Sequence, residues 1–444
     1  RLPGVEREKI GLFYDYDVGG ELLKSLHLDA YHQTIERRFE NDIVTTQVIP
    51  SPMIKALTVK NQTRTQDKQY TQGATLQANY TLPASNSLVL GAQYLRDRIT
   101  QTSNSYTRQT AATGFFDIET NKLSHNEAIQ DSASLFAQND WQFADNWSWT
   151  LGVRQSWLSS RLTAGDTQTT TDGVTTAAEM ARNTARDDAL VTATSLRYSG
   201  FDNLELRAAF AQGYVAPTLT QLFTQTSAGG SVTYGNSDLK AEHSSNVELG
   251  ARYKGELWLL DSAVYYSQAK DYIASVACAG QSMCEGNTSS SRSGYYYYDN
   301  VDKAKTWGME LTAEYSGWPV SPYLSGNLIR RQYESAALKT RNTGEPGVTG
   351  RIGLKHTLLL NALNLTSDFY IRAASSAKDS TGAAETRQAG WATLNLAFNS
   401  EFGPEDQYQL NLALNNLTDK RYQTAHESIP AAGFNAAVGF AWKF

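Results

Sequence analysis

The sequence predicts an all-β fold: a transmembrane antiparallel β-barrel of about 17 strands that forms a single domain over residues 1–444. Three observations support this prediction. Apolar and polar residues alternate strictly along many segments, and very short turns alternate with long polar connections. The composition is also rich in aromatic residues without containing any long apolar run.

The composition excludes a helical membrane protein and argues against nucleic-acid binding. Hydrophobic residues make up 41% of the chain and the mean hydropathy is −0.45, and no stretch approaches the roughly 18–20 consecutive apolar residues of a membrane helix. Aromatic residues nevertheless reach 11%, with 24 Tyr and 9 Trp, which is typical of barrels whose strands cross the membrane interfaces. The net charge of −6 argues against a nucleic-acid partner, because binding to nucleic acid requires a basic surface.

Alternation with a period of two identifies the strands. In the segment from Trp147 to Arg154, Trp and aliphatic side chains occupy one side, and Ser, Thr, Gly and Arg occupy the other. An amphipathic helix would not keep its charges on strictly alternate positions. The same pattern recurs in the segments 204–210, 247–254 and 408–415.

The connections between strands predict where the barrel resides. Short turns are expected at 144–146, 199–202, 254–256 and 316–318. Long polar segments of roughly 30 residues alternate with them, whereas soluble hairpins use about 2–5 residues. We expect these long segments to be solvated loops, at 38–69, 99–130, 159–189, 213–242 and 272–303. Short turns at one end and long loops at the other are typical of a multi-pass barrel in the bacterial outer membrane, with the long loops outside the cell.

The strand count also bears on how much of the barrel the sequence contains. The first expected strand, Ile10 to Tyr16, leads into a short turn at 18–20. Bacterial single-chain barrels have an even number of strands. If the sequence contains about 17, we expect an odd number of further strands to precede Arg1. We therefore expect the chain to belong to a longer protein, and we expect that alone it would not form a stable pore.

The last expected strand and the two cysteines carry further signals. Alternate positions from Phe434 onward are apolar and the chain ends on Phe. Such a strand resembles the signal that the barrel assembly machinery recognises, and we assign this signal to Phe440, Trp442 and Phe444. Cys278 and Cys284 are the only cysteines, and a close pair without other thiols predicts a disulfide formed in an oxidising compartment. No histidine lies near them in the sequence, so we assign no metal site.

Five segments resemble conserved boxes of the TonB-dependent receptor family and occur in the order of that family. In the third of them, Ser237 and Ala241 stand where the family usually has proline. The segments are SLFAQNDW at 134–141, AQGYVAPTL at 211–219, GNSDLKAE at 235–242, NVDKA at 300–304 and NNLTDKRY at 415–422.

The resemblance implies a barrel of about 22 strands whose lumen is closed by an N-terminal plug domain. The first strand of this sequence would be about the sixth of such a barrel, and the plug would be absent. Energy would reach the plug from the TonB–ExbB–ExbD complex, and the barrel would perform no chemistry, so we do not expect an enzyme. The other implied partners are outer-membrane lipid and lipopolysaccharide, the barrel assembly machinery, and a phage or bacteriocin that uses the protein as its receptor.

The resemblance also implies the ligand class, a scarce metal chelate bound by the long loops. A ferric siderophore is the leading expectation for the transported ligand, and haem or a haem-carrying protein is the alternative; no covalent cofactor is expected. Haem receptors of this family usually carry an iron-ligating histidine between the second and third boxes. No histidine lies between Pro217 and Asn236, and the nearest one is His243.

The sequence offers few individual candidates for contact with such a ligand. Tyr295 and Tyr296 begin a run of four tyrosines, whose rings could stack on an aromatic chelate or could instead belong to the membrane-interface girdle. Arg292 is one of several loop cations that would attract an anionic chelate. His426 could touch the ligand or form a solvated pair with Glu427.

Other function classes fit the sequence less well. A passive porin commonly has about 16–18 strands and would give no reason for the five boxes. An enzyme would need a catalytic constellation, and none of the six histidines stands with Ser and Asp at a suggestive site. An adhesin role of the long loops could coexist with transport.

Overall fold

In the computed structural model, the described residues are 4–443 apart from 181, 229–230, 279–283, 285–294, 335–338, 361–362, 382–384 and 428. Within them the chain forms 23 β-strands, the short helix α1 (Leu219–Phe223) and a 3-10 turn at Pro404–Asp406. None of the described helices is long and apolar enough to span a membrane.

The strands run from one end of the described chain to the other. The first twelve are β1 (Gly4–Asp17), β2 (Leu23–Val48), β3 (Ala56–Leu82), β4 (Asn86–Ala111), β5 (Asp117–Ala144), β6 (Trp147–Thr171), β7 (Val174–Glu179), β8 (Thr184–Phe201), β9 (Leu204–Val215), β10 (Thr226–Ala228), β11 (Ser231–Tyr234) and β12 (Glu242–Lys254). The remaining strands are β13 (Trp258–Ala277), β14 (Tyr295–Tyr315), β15 (Ser321–Glu334), β16 (Lys339–Thr340), β17 (Val348–Leu360), β18 (Leu363–Ala374), β19 (Ala377–Asp379), β20 (Thr386–Gln388), β21 (Trp391–Phe402), β22 (Tyr408–Asn415) and β23 (Asn435–Trp442).

The main sheet is an antiparallel meander. It contains 21 strands, of which four (β7, β10, β11 and β16) are short strands within the connections, so that 17 form the wall. Each wall strand pairs antiparallel with the next wall strand along the chain. The prediction of about 17 antiparallel strands is confirmed.

The two edges of the sheet are β1 and β23. In the described part of the chain, β1 pairs with β2 only and β23 with β22 only, so the sheet is not closed into a ring. An unpaired edge presents backbone N–H and C=O groups that lipid cannot satisfy. A form of this sheet embedded in a membrane therefore requires a partner for both edges.

One face of the wall carries the apolar residues. On β6, Trp147, Trp149, Leu151 and Val153 are 36%, 40%, 45% and 41% exposed, although all four are hydrophobic. The polar residues between them lie on the opposite face, where neighbouring strands provide partners. An exposed apolar face of this extent is what a lipid-facing surface requires, and the alternation predicted for this segment is confirmed.

Aromatic rings border the apolar face next to the short turns. Around the turns after β5 and β8, Phe143, Trp147, Tyr198 and Phe201 form a chain of ring contacts with centroid distances of 6.2, 4.6 and 5.2 Å. A second aromatic position on the same face of β6 is Trp157, ten residues further along the strand. Ten residues at ~3.4 Å each give ~34 Å, which a tilt of about 40° reduces to ~26 Å, close to the ~25 Å apolar band of outer-membrane barrels.

The opposite face of the wall, which would line a barrel lumen, is polar. Arg154 donates to the amide oxygen of Gln93 at 2.6 Å. Arg207 lies 3.2 Å from Glu248 and 3.0 Å from Asp261. Hydrogen bonds and ion pairs on this face therefore join adjacent strands and strands one apart, and they favour a single register.

The prediction of solvated loops is wrong for most of the segments 38–69, 99–130 and 159–189. Strands β2 to β6 continue through them as long hairpins that extend beyond the apolar band. These extensions are polar on both faces, so hydrophobic alternation could not reveal them. They are nevertheless rich in threonine, whose β-branched side chain favours strands. Facing hydroxyls lie within hydrogen-bonding distance across strand pairs, as in Thr46 and Thr58 at 3.1 Å and Thr120 and Thr171 at 3.2 Å.

The two faces should respond oppositely to a new charge. Val153 lies halfway along the apolar band of β6, whereas Gln138 lies on the polar face of the adjacent strand β5. We expect Val153→Arg to destabilise the folded protein in lipid by about 2–4 kcal/mol and Gln138→Arg to be close to neutral. Urea unfolding of the receptor in phospholipid vesicles measures both changes. Equal effects at the two positions would contradict the assignment of the lipid-facing side.

Candidate ligand-binding site

The connection between β9 and β12 folds inward at the end of the strands remote from the short turns. Thr218 caps the helix α1: its hydroxyl accepts from the Gln221 backbone N–H at 3.2 Å, and the Gln221 side chain accepts from the Thr218 backbone N–H at 2.8 Å. This reciprocal arrangement satisfies two otherwise free donors. The helix packs its apolar residues on the polar-face side of β4, β5 and β6, with Leu219, Leu222 and Phe223 against Ile99, Ala128 and Leu162.

Two of the boxes from the sequence bind one another through asparagine side chains. Asn300 accepts from the Lys240 backbone N–H and donates to the Lys240 carbonyl, both at 2.9 Å. Asn236 donates to the Tyr298 carbonyl at 3.0 Å and accepts from the Asp238 backbone N–H at 2.9 Å. The segments 235–242 and 300–304 therefore have a structural role, since the Asn300 side chain satisfies backbone groups of the first segment and the Asn236 side chain satisfies a carbonyl just before the second.

The disulfide lies beside this junction. Cys278 and Cys284 are bonded, with their Cα atoms 6.1 Å apart, as their spacing predicts. Both are buried against Tyr234 and Tyr297. The Cys278 backbone N–H donates to the Tyr295 carbonyl at 3.0 Å. The cross-link thus closes a short loop directly after β13, and the backbone hydrogen bond joins the first residue of that loop to the start of β14.

The four tyrosines at the start of β14 face two different environments. Tyr297 is buried against the disulfide, and its hydroxyl donates to Asp299 at 2.9 Å. Burial and this hydrogen bond raise the pKa of Tyr297 to about 12. Tyr298 packs against the cluster around α1. Tyr295 and Tyr296 are only partly buried, so their role as ligand contacts stays a prediction.

His426 lies over a cavity at the same end of the wall. Its Nε2 atom is 3.3 Å from a carboxylate oxygen of Glu345, which also accepts from Arg331 at 2.7 Å. The imidazole remains 52% exposed. The sequence suggested a pair with Glu427, but the acidic partner of His426 in the structure is Glu345. The cavity is about 630 Å³, and its lining includes the cations Arg387, Lys420 and Arg421.

The last box, at 415–422, ties the final long connection to the wall. Asn416 is 2% exposed. Its side chain accepts from the Lys420 backbone N–H at 2.9 Å and donates to the carbonyls of Lys420 and Ala432. Its own backbone N–H donates to the Asn395 side chain at 3.0 Å. Asn416 has a positive φ of 53°, a conformation that asparagine tolerates better than most residues.

The structure assigns no function to several of the predicted residues. Phe440 and Trp442 lie on the exposed face of the edge strand β23, and their role in assembly stays a prediction. Arg292 and Phe444 lie outside the described residues. Among the residues that the structure describes, no group of three His, Cys, Asp or Glu side chains converges as a metal site.

Sequence reasoning missed the residues that the strand register brings together on the polar face. Arg351 and Arg372 are direct neighbours on β17 and β18. Trp391, at the start of β21, lies with its ring 4.5 Å from that of Tyr422 and 5.9 Å from the Arg372 guanidinium. These residues come from four separate segments, so no local motif could have indicated them.

Removal of the Asn416 side chain should loosen the final connection. Asn416→Ala leaves two backbone carbonyls and one N–H without partners and places alanine at a positive φ, so we expect a loss of about 2–4 kcal/mol in the free energy of unfolding. Asn411 lies on the polar face of β22, the strand that ends just before Asn416, and is exposed. Asn411→Ala is the matched control and should change stability by no more than about 0.5 kcal/mol. Urea unfolding measures both variants, and a neutral Asn416→Ala would refute the structural role of this box.

Comparison with known proteins identifies the family. Residues 4–417 match the family described as TonB dependent receptor-like, beta-barrel. The iron-regulated outer membrane virulence protein of Vibrio cholerae serotype O1 is 33% identical over 126 residues, which are 27% of this chain and 19% of that protein. The ferrienterobactin receptor of Escherichia coli is 32% identical over 121 residues, 24% of this chain and 15% of that receptor.

Among solved structures, the copper transporter OprC superposes with a TM-score of 0.72 at 18% identity, and the match covers 99% of this chain and 66% of OprC. At this identity the superposition shows the fold alone. The matched segments thus span less than a fifth of the two curated relatives and about two thirds of the solved structure. Together, the family match over residues 4–417 and the meander of long antiparallel strands show that the chain belongs to the β-barrel of the TonB-dependent receptors.

Proposed function

We propose that this chain forms the barrel wall of an outer-membrane receptor that binds a ferric siderophore and imports it with energy supplied through TonB. The observation that carries the proposal is the family match over residues 4–417. The likeness of one segment to the ferrienterobactin receptor supports iron chelates as the ligand class. Import, rather than an enzymatic reaction, is the proposed activity.

The charge distribution on the polar face supports an anionic ligand. The chain as a whole has a net charge of −6. The cavity below His426 is lined by three cations and by the acidic residues Asp379 and Glu427, so the cations are in excess by one. On β17 and β18, Arg372 lies beside Arg351, whose charge Asp368 neutralises. A local excess of positive charge attracts an anionic chelate to the lumen even when the protein as a whole is acidic.

The open edges of the sheet support the proposal that further strands complete the barrel. β1 and β23 need partners in lipid, and a barrel of about 22 strands would provide them. A lumen of that width would conduct freely unless it were filled. We therefore include in the proposal an N-terminal plug domain, through which TonB would act.

A haem receptor of the same family is the second candidate. The observation in its favour is His426, an exposed imidazole over the cavity. Two observations weigh against it. His426 is already paired with Glu345, and His243 lies against Tyr214 with their ring centroids 5.3 Å apart, in the pairing of β9 with β12.

Tryptophan fluorescence of the full-length receptor should separate these candidates. We expect saturable quenching by one ferric siderophore from a panel, with little response to its iron-free form, to haemin, to haemoglobin or to a copper(II) salt. Response to haemin or haemoglobin alone would replace the leading proposal with the second. Response to copper(II) alone would exclude both iron ligands.

Uptake of the radioactive iron chelate by cells tests the transport step. Cells that carry the receptor and TonB should accumulate the chelate, and cells without TonB should bind it at the surface without accumulation. Equal uptake in both strains would indicate a passive pore and would contradict the proposal.

A further inference from the structure

We propose that a pocket on the polar face of β14, β15, β17, β18 and β21 binds a carboxylate group of the transported chelate, with Arg372 as the anion-binding residue and Trp391 beside it. This inference rests on the proposed function and narrows the ligand class to chelates that bear a carboxylate.

The pocket arises from two neighbouring rows of side chains that run across the strands. The register places Thr312, Ser325, Arg351 and Arg372 in the first row. It places Glu310, Asn327, Thr349, Ala374 and Trp391 in the second row. The short side chains of Thr312 and Ser325 in the first row adjoin those of Thr349 and Ala374 in the second. Together with the longer side chains around them they line a cavity of about 510 Å³.

The pocket opens on the side of the wall that faces away from lipid. The alternate residues of the same strands, Ile352 on β17 and Ile371 on β18, are exposed on the apolar face. Because successive side chains of a strand point to opposite faces, Arg351 and Arg372 lie on the lumenal face. A ligand in the lumen would therefore reach them directly.

The two arginines differ in whether their charge is neutralised. Arg351 forms an ion pair with Asp368, its Nε atom donates to the Tyr323 hydroxyl at 2.7 Å, and its guanidinium lies 3.5 Å from the Tyr370 ring centroid. Arg372 has no carboxylate within 4 Å among the described residues, and it is exposed. The excess positive charge of the pocket therefore resides on Arg372.

The carboxylate of Glu310 belongs to the same pocket but does not neutralise Arg372. Glu310 lies on β14 and Arg372 on β18, with β15 and β17 between them. Three strand spacings separate the two by ~14 Å, more than the Debye length of ~8 Å at physiological ionic strength. The two ends of the pocket thus carry opposite charges.

Two further groups favour a ligand with a planar anionic end. Trp391 holds its ring near the Arg372 guanidinium and is itself packed on Tyr422. Guanidinium binds a carboxylate through two parallel hydrogen bonds, and an indole ring accepts a planar group against its face. Asn327 contributes a buried amide oxygen that has no hydrogen-bond partner in the described part of the chain. Such an acceptor is rare in folded proteins, and because it has less than 1 Å² of accessible surface the Asn327 amide would have to rotate toward the cavity to accept from a hydroxyl or N–H group of the ligand.

The test compares binding of chelates with and without a free carboxylate to the full-length receptor. The probes are ferric citrate, a ferric siderophore of the hydroxycarboxylate class and an uncharged ferric trihydroxamate. We expect the wild-type receptor to bind a carboxylate-bearing chelate and Arg372→Gln to weaken that binding about 10- to 100-fold. Asn327→Ala should weaken it to a smaller extent.

Arg330→Gln is the matched control, because it removes the same charge from an exposed position on the opposite face of β15. The control should leave the dissociation constant unchanged. Heat-modifiable migration in gels verifies that each variant is folded.

The outcomes separate this inference from the proposed function. If the receptor binds a chelate but Arg372→Gln equals the control, or if only the trihydroxamate binds, the pocket assignment is overturned while the receptor function stands. Arg372→Gln could instead lower the unfolding midpoint without ligand and leave binding unchanged. In that case the guanidinium stabilises the receptor through a contact with another part of it, and the assignment is again overturned. If no ferric chelate binds, the proposed function fails and this inference fails with it.

Discussion

The structure depends first on the requirement that every backbone N–H and C=O group in lipid finds a partner within the protein. A meander of long antiparallel strands meets this requirement everywhere except at its edges. Successive side chains of each strand point to opposite faces, so that apolar residues face lipid and polar residues face the lumen. The apolar residues of β6, the polar pairs around Arg207 and the lumenal position of Arg372 are all consequences of that one constraint.

Three of the boxes that mark the family contain an asparagine that serves a connection between strands. Asn236, Asn300 and Asn416 each use a side-chain amide, which can both donate and accept, to satisfy backbone groups of a connection that has left the sheet. These three asparagines therefore hold the connections in place.

The sequence predicted the wall well because the signal for a wall strand is local. The segment from Trp147 to Val153 contains its own alternation, and the disulfide partners lie six residues apart. The extensions of β2 to β6 were misread as loops because Thr, Ser and Gln on both faces give no alternation, although their cross-strand hydroxyl contacts favour pairing. The pocket could not be predicted at all, because the register of three strand pairs sets the distance between Asn327 and Trp391.

Arg351 and Arg372 occupy adjacent positions in the wall, but only Arg351 has an acidic partner among the described residues. Both are arginines on the same face and they are direct neighbours across β17 and β18. Asp368 lies on the same strand as Arg372, four residues away, yet its carboxylate pairs with Arg351. One acidic residue therefore fixes one guanidinium against Tyr370 and leaves the other with its charge available to the lumen. Because Arg372 is exposed, a ligand carboxylate would have to displace water from the guanidinium and restrict its side chain, so only part of the strength of the charge-assisted hydrogen bonds would appear as binding free energy.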